Sequence, residues 1–282
     1  MIFPDQADEA AFDIAVRQAL QHVATHIICP YFGQLSDDMV RTKSSPDDFV
    51  TQADIEAEAY LTQKLAPLLP GGVIIGEEAS STQNKASTPS TAKTILTIDP
   101  LDGTRNFVRK NTSFCSMVSL IDEGGVHSAW IYRPLEGDCF YARVGAGVSH
   151  IGADGTKTLL TRPVFASDFY DMPGTANAMG LSEPQRQLAR DRLKTHNGRY
   201  HIGSAGLDAV ALAQGKSAFV MHSKLTPWDS CPAALFAQEA GYIVKMAPDG
   251  SAFSAFKKGV LLMAQNERIW NECCDFVFRG AD

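Results

Sequence analysis

The run Ile98-Asp99-Pro100-Leu101-Asp102-Gly103-Thr104-Arg105-Asn106-Phe107 places two carboxylates three residues apart, across a turn governed by a proline and a glycine. An apolar strand leads into it. Such a turn can bring both side chains and the intervening Leu101 carbonyl towards one point, an all-oxygen set suited to a hard cation such as Mg²⁺. Gly103 and Thr104 would then supply backbone N–H groups, at a helix start, for phosphate oxygens. The other reading is an Asx-turn in which Asp99 and Asp102 satisfy only local N–H groups. The decapeptide alone does not choose between them.

Two further acidic groups follow similar segments. Glu77-Glu78 comes directly after Val73-Ile74-Ile75-Gly76, and Trp228-Asp229 follows Leu225-Thr226-Pro227 ahead of a helical stretch. Taken singly, Glu77 and Glu78 read more readily as a solvated edge, and Asp229 as a plain helix cap. Other signals carry less. His22 and His26 stand four apart on a helix, but no third ligand accompanies them, and a solvated helix shoulder is the better reading. Gly145-Ala146-Gly147 falls short of a dinucleotide fingerprint. Ser204 lacks the spacing of a nucleophile elbow, which gives a serine-hydrolase triad little weight.

These residues need a scaffold. A helix is expected over 7–32, where Phe12, Val16, Leu20, Val23 and Ile27 recur at helical spacing until Pro30 and Gly33. A second is expected from Asp54, as its N-cap, through Tyr60, Leu61 and Leu65 to Leu69, stopped by Pro70-Gly71-Gly72. Val73-Ile74-Ile75 reads as a short buried strand, and residues 79–92, half Ser/Thr, as a mobile surface loop. Strands are expected at 94–98, 113–121, 126–132 and 139–144, with turns at 122–125 and 135–138. Helical and strand segments then alternate over 183–195, 207–213, 218–222, 230–240, 242–246, 259–264 and 267–278. The layout is mixed α+β, with sheets covered by helices and a soft division near 150–160.

A chain of 282 residues with 45% apolar and 20% charged side chains is long enough for a sizeable core in one or two domains. Acidic side chains outnumber basic ones, 32 to 25, for a net charge of −7, so direct nucleic-acid binding is not expected. No apolar run reaches the ~18 residues of a membrane span, and no membrane association is expected. Met1-Ile2-Phe3-Pro4-Asp5 lacks the basic start and apolar stretch of a signal peptide. Cys29, Cys115, Cys139, Cys231, Cys273 and Cys274 form no CxxC pair, and neighbours such as the last two seldom bridge. Reduced thiols in a cytoplasmic protein are expected.

The motifs GEE (76–78), DPLDGTRNF (99–107) and PWD (227–229), in this order, resemble the inositol monophosphatase family of Mg²⁺-dependent, lithium-sensitive phosphatases. The agreement extends to Lys43-Ser44-Ser45-Pro46, to Asp48-Phe49-Val50-Thr51 with Asp54, to Glu136-Gly137 and to Glu239-Ala240-Gly241. The resemblance implies a layered αβαβα sandwich of the inositol monophosphatase/fructose-1,6-bisphosphatase type. Residues 1–155 would form an N-terminal α+β part carrying most metal ligands. Residues 156–282 would form a C-terminal α/β part closing the cleft, the two making one catalytic unit.

The resemblance also implies roles. Glu77, Asp99 and the Leu101 carbonyl would bind a first metal. Asp99 would bridge to a second, held also by Asp102 and Asp229, with Glu77 helping to bind a third. Thr104 and Asp54 would orient and deprotonate the attacking water, with Glu77 counted among the catalytic groups. The N–H groups of Gly103 and Thr104 would hold the phosphate, with Lys43 and Glu78 near metal-bound water. Two to three Mg²⁺ are implied, with Mn²⁺ as a substitute and Li⁺ as an inhibitor. Cations ~3.5–4 Å apart can serve both the attacking and the leaving oxygen of a phosphomonoester.

The chain departs from the family pattern on the substrate side. His222 stands seven residues before Asp229, where inositol phosphatases commonly place a glutamate, and Gly203-Ser204-Ala205-Gly206 is followed by Leu207-Asp208 rather than small residues. Gly206, Asp208 and His222 are the candidate substrate contacts. After Trp228-Asp229 the run is Ser230-Cys231-Pro232-Ala233, in which Pro232 is tolerable in a first helical turn and Cys231 reads as core. The expected activity is hydrolysis of a small polyol or sugar phosphate, inositol monophosphate by default, by a homodimer. Histidinol phosphate and 3′-phosphonucleotides are the alternative substrates. A regulatory accessory protein of RNA polymerase with the same fold is the alternative of another class.

Overall fold

The computed structural model of the chain describes residues 3, 5–43, 49–82, 92–162 and 164–279. Met1, Ile2, Pro4, Ser44, Ser45, Pro46 and Asp48 lie outside the described residues, as does most of the expected 79–92 loop.

Helix α1 (Gln6–Val23) starts on Asp5, whose side chain accepts the Ala7 and Asp8 N–H groups. Pro30 does not end it. The helix widens into a π-turn at Ala24–Ile28, where Cys29 N–H reaches the Ala24 carbonyl, and α2 (Cys29–Tyr31) carries on beyond. The wider turn accommodates a proline with no N–H to give. Strands β1 (Val40–Thr42) and β2 (Phe49–Thr51) pair antiparallel and lead into α3 (Gln52–Leu65). The cap of α3 is Thr51, not Asp54. Asp54 is the third helical residue and returns a bond to the Thr51 N–H, a reciprocal capping box.

Strand β3 (Val73–Gly76) turns directly into α4 (Glu77–Thr82), so residues 79–82 are helical where a loop was expected. The long β4 (Thr94–Asp102) ends in α5 (Thr104–Val108). Five strands follow: β5 (Cys115–Asp122), β6 (Gly125–Arg133), β7 (Asp138–Arg143), β8 (Gly147–Ile151) and β9 (Lys157–Leu159). Beyond these lie β10 (Gly174–Ala176), α6 (Gln185–Leu193), β11 (Arg199–Tyr200), α7 (Ala205–Ala213), β12 (Phe219–His222), α8 (Pro227–Glu239), β13 (Ile243–Ala247), β14 (Val260–Ala264) and α9 (Glu267–Phe278). Pro232 falls at the sixth position of α8, beyond the first turn where it was expected.

The strands form a seven-stranded sheet, β3-β4-β5-β6-β7-β8-β9, and a five-stranded sheet, β11-β10-β12-β14-β13. In the first, only β3 and β4 are parallel. Side-chain alternation gives this sheet two apolar faces. Leu96, Ile98, Val118, Leu120 and Trp130 pack under α1 and α3 with Val16, Leu20, Leu61 and Leu65. Met117, Ile131, Phe140 and Ala142 meet α7 and α8, whose far sides reach Leu261 and Met263 of the second sheet. The opposite face of that sheet is closed by α6 and α9 through Ala189, Leu193, Ile269, Trp270 and Val277. The result is the αβαβα sandwich expected. All six cysteines are free thiols, and Cys231 is fully buried.

Candidate active site

The candidate residues gather where β4, α3, α4 and the N-termini of α7 and α8 meet. Pro100, which has no N–H for the ladder, coincides with a register shift in β4 between Asp99 and Asp102. The Asp99 carboxylate accepts the Leu101 N–H at 3.1 Å, and Ser116 Oγ holds the Pro100 carbonyl at 2.7 Å. Gly103 then adopts φ +94°, and a Cβ there would lie 2.9 Å from the Ser113 carbonyl. Glycine makes this turn, and the turn aims Thr104 back at the strand.

Thr104 Oγ1 lies 3.0 Å from both Asp54 Oδ1 and the Leu101 carbonyl. The other Asp54 oxygen is taken by Thr51, from its N–H at 2.8 Å and its hydroxyl at 2.5 Å. Burial pushes the Asp54 carboxyl up to about 6 against the pull of those Thr51 bonds. A parallel arrangement holds Asp229. It is the third residue of α8, and Thr226, the cap, donates its hydroxyl to Asp229 Oδ2 at 2.6 Å. The same T-x-x-D spacing thus fixes both aspartates at helix starts.

Asp99, Asp102 and Asp229 each present an oxygen within 4.8 Å of the others. They are the one such ligand group among the described residues. Burial, then Glu77, Asp102 and Asp229, holds the Asp99 carboxyl well above the usual carboxylate range. Asp229 is pushed up to about 7 by burial and by Asp102 and Glu77. Asp102 is raised by burial despite its donors, which are Ser204 Oγ at 2.5 Å, Gly206 N–H at 2.7 Å, Ala205 N–H at 3.1 Å and Cys115 Sγ at 3.4 Å. Three carboxyl groups crowded in low dielectric can be accommodated by shared protons or by a cation. An all-oxygen donor set of this kind fits a hard divalent ion.

Glu77 and Glu78 open α4 on the same side. Lys43 Nζ bridges them, 2.8 Å from Glu77 Oε1 and 2.7 Å from Glu78 Oε1. Burial lowers the Lys43 ammonium, but the two glutamates outweigh it and hold it above its usual range. Glu78 is pushed up to about 8 by burial and then by Glu77. Of the substrate-side candidates, His222 and Asp208 are buried and bonded to each other, Nε2 to Oδ2 at 3.3 Å, while Asp208 Oδ1 is buried with no partner. The Gly206 N–H is directed at Asp102 at 2.7 Å. His22 stacks on Tyr60 at 4.2 Å, in keeping with a helix shoulder.

Sequence reasoning gave no site role to Thr51, Glu58 or Thr226, and weighed Ser204 only as a nucleophile and as part of the 203–206 loop. The two threonines carry a readable signal, T-x-x-D ahead of a helix. Glu58 repeats the Asp54 face one turn later, where its carboxylate accepts the Glu78 and Ala79 N–H groups. Ser204 both caps α7, accepting Leu207 N–H at 3.2 Å, and donates to Asp102.

The fold is a layered αβαβα sandwich with a carboxylate-lined site whose donors fit a hard divalent ion, and comparison with known proteins gives its family. The family model described as "Inositol monophosphatase family" matches residues 9–274, so the chain belongs to the inositol monophosphatase family. It is 32% identical over 210 residues to the inositol-1-monophosphatase SuhB of Mycobacterium tuberculosis, covering 73% of this chain and 71% of that protein. It is 28% identical over 237 residues to the Nus factor SuhB of Vibrio cholerae, covering 82% and 81%. The structure is similar to a staphylococcal inositol monophosphatase-1 soaked in LiCl, with a TM-score of 0.80, 20% identity and 98% and 97% of the two chains covered. An inositol monophosphatase/NADP phosphatase complexed with NADP and Ca²⁺ gives a TM-score of 0.79 at 20% identity over 98% of both chains.

Proposed function

We propose that this protein is a Mg²⁺-dependent phosphomonoesterase that hydrolyses a small polyol or sugar phosphate, with inositol monophosphate as the default substrate. The observation that carries the reading is the convergence of Asp99, Asp102 and Asp229 beside the Asp54–Thr104 pair. Glu77, Asp99, Asp102, Asp229 and the Leu101 carbonyl would hold two to three Mg²⁺, which supply charge neutralisation for the phosphate and acidify water. Mn²⁺ would substitute and Li⁺ inhibit. Thr104 donates its hydroxyl proton to Asp54 Oδ1 and accepts one from the attacking water. The water oxygen bonds to phosphorus as the ester P–O bond breaks, the proton of the attacking water rests on Asp54, and the departing alkoxide takes a proton from solvent water to leave as the alcohol. Burial, which raises this carboxyl, favours its taking up that proton. The Gly103 and Thr104 N–H groups would steady the phosphate oxygens, and Lys43 and Glu78 would order nearby water. On the substrate side, His222 with Asp208 offers a donor where a glutamate would offer an acceptor. Histidinol phosphate and 3′-phosphonucleotides remain the alternative substrates.

The parts 1–155 and 156–282 would act as one unit across this cleft, in a cytoplasmic homodimer. No helix among the described residues is long and apolar enough to cross a membrane. The Nus factor name of the Vibrio cholerae relative favours a second role, regulation of transcription through a protein partner. The full carboxylate set argues that such a role would accompany catalysis.

The test is a phosphatase screen over inositol, sugar, histidinol and nucleotide phosphates with Mg²⁺ titrated. Asp99→Asn and Asp229→Asn are expected to lose nearly all turnover while keeping the wild-type circular dichroism spectrum. Near-normal turnover in either variant sinks the assignment.

A further inference from the structure

Helix α3 carries a second buried carboxylate one turn beyond Asp54. Residues four apart share a helix face and lie about 6 Å apart along the axis, so Glu58 faces the same way as Asp54. Glu58 is 6% exposed. Its Oε2 accepts the Glu78 N–H at 2.7 Å, and its Oε1 accepts the Ala79 N–H at 2.7 Å. Both oxygens are therefore spent on the first turn of α4, the segment that presents Glu77.

The fit is close on its other side. Position 76 is glycine, and a Cβ there would fall 2.3 Å from Glu58 Cδ and 2.5 and 2.6 Å from its two oxygens. Strand β3 ends at Gly76 and α4 begins at Glu77 with no linker between them. The direction of the Glu77 side chain thus depends on how this one backbone turn is held. Two N–H groups side by side require an acceptor at both tips of the side chain. A carboxylate meets that need, whereas an amide would set its own NH₂ against one of the donors. Burial and the neighbouring Glu77 push this carboxyl up, and the Glu78 and Ala79 N–H bonds pull against them.

We infer that Glu58 is a positioning residue that sets the Glu77 carboxylate for a divalent cation, acting through the backbone at 76–79 without touching the ion. The inference rests on the metal-site reading above. Groups that orient a ligand in this way typically change metal affinity about 10–100-fold when replaced.

Isothermal titration of Mg²⁺, and separately of Mn²⁺, into the metal-stripped full chain tests it. Glu58→Gln is nearly isosteric, and Gly76→Ala leaves the carboxylate in place but attacks the same contact from the other side. Each is expected to weaken cation binding about 10–100-fold. In a Glu77→Gln background, Glu58→Gln is expected to add little, because its effect runs through Glu77. Wild-type affinity in both Glu58→Gln and Gly76→Ala overturns the inference. So does an equal loss on adding Glu58→Gln to wild type and to Glu77→Gln, since that marks a general structural effect. If the wild-type chain takes up no divalent cation, or Asp99→Asn binds as well as wild type, the metal-site reading fails first and the role of Glu58 falls with it.

Discussion

Thr104 is a residue on which two acceptors converge. Its single hydroxyl proton sits 3.0 Å from Asp54 Oδ1 and 3.0 Å from the Leu101 carbonyl, so it donates to one at a time. Valine would keep the shape and remove the relay between water and Asp54. Thr104→Val is expected to lower kcat about 10²–10⁴-fold with little change in the Mg²⁺ dependence, while Thr104→Ser keeps most activity. Steady-state rates across a Mg²⁺ series check this, and an equal loss in both variants would assign the effect to packing. Asp99 and Asp102 could be picked out by type and by the apolar strand before them, whereas Asp54 and Asp229, each a helix cap on its own, were picked out through the family resemblance. Glu58 and Ser204 could not. Their partners lie 20 and 102 residues away, and what they support is a backbone turn or another carboxylate rather than a ligand.

At the scale of elements, α7 begins on Ser204, and Ser204, Ala205 and Gly206 all point donors at Asp102. One carboxylate thereby ties the end of β4 in the seven-stranded sheet to a helix lying between the two sheets. Ser204→Ala removes both the cap of α7 and a hydrogen bond to a charged group, a combined cost of about 1–3 kcal/mol. Denaturant unfolding of wild type and variant measures it. A loss below a few tenths of a kcal/mol would show that Asp102 does not depend on this helix. Elements with strong periodicity were readable, α9 to the residue and β5–β7 within two residues, whereas β4 runs on to Asp102 past its expected end at Ile98. The short β10 and β11 were missed because two or three residues show no alternation, and they exist by pairing, β10 with β12 and β11 with β10. The start of α3 was misplaced because Asp54 resembles a cap in isolation, whereas Thr51 before it is extended and free to take that place.

For the molecule as a whole, an excess of seven negative charges suggests a surface property, yet several of the carboxylates are buried at one place. Asp54 is pushed up to about 6, Asp229 to about 7 and Glu78 to about 8, and Asp99 stands well above the usual range. A carboxyl raised in the folded chain keeps its proton at a pH where the unfolded chain has lost it. Folding then takes up protons across that interval, and stability falls as pH rises from roughly 4 to 8. His222, raised against burial by its bond to Asp208, adds in the same direction, because its stabilising charge is lost as pH rises. Asp138, lowered by Arg133 and His150 against burial, opposes this only near and below the ordinary carboxylate range. The metal-stripped protein is therefore expected to melt at a higher temperature at pH 5.5 than at pH 8. Mg²⁺ would replace the shared protons, so it should raise the melting temperature more at pH 8 than at pH 5.5, where protons compete for the same oxygens. Thermal melts at the two pH values, with and without Mg²⁺, read both effects. A stripped protein that gains stability towards pH 8, or a Mg²⁺ shift of equal size at both, would mean that these carboxylates neither share protons nor hold the cation.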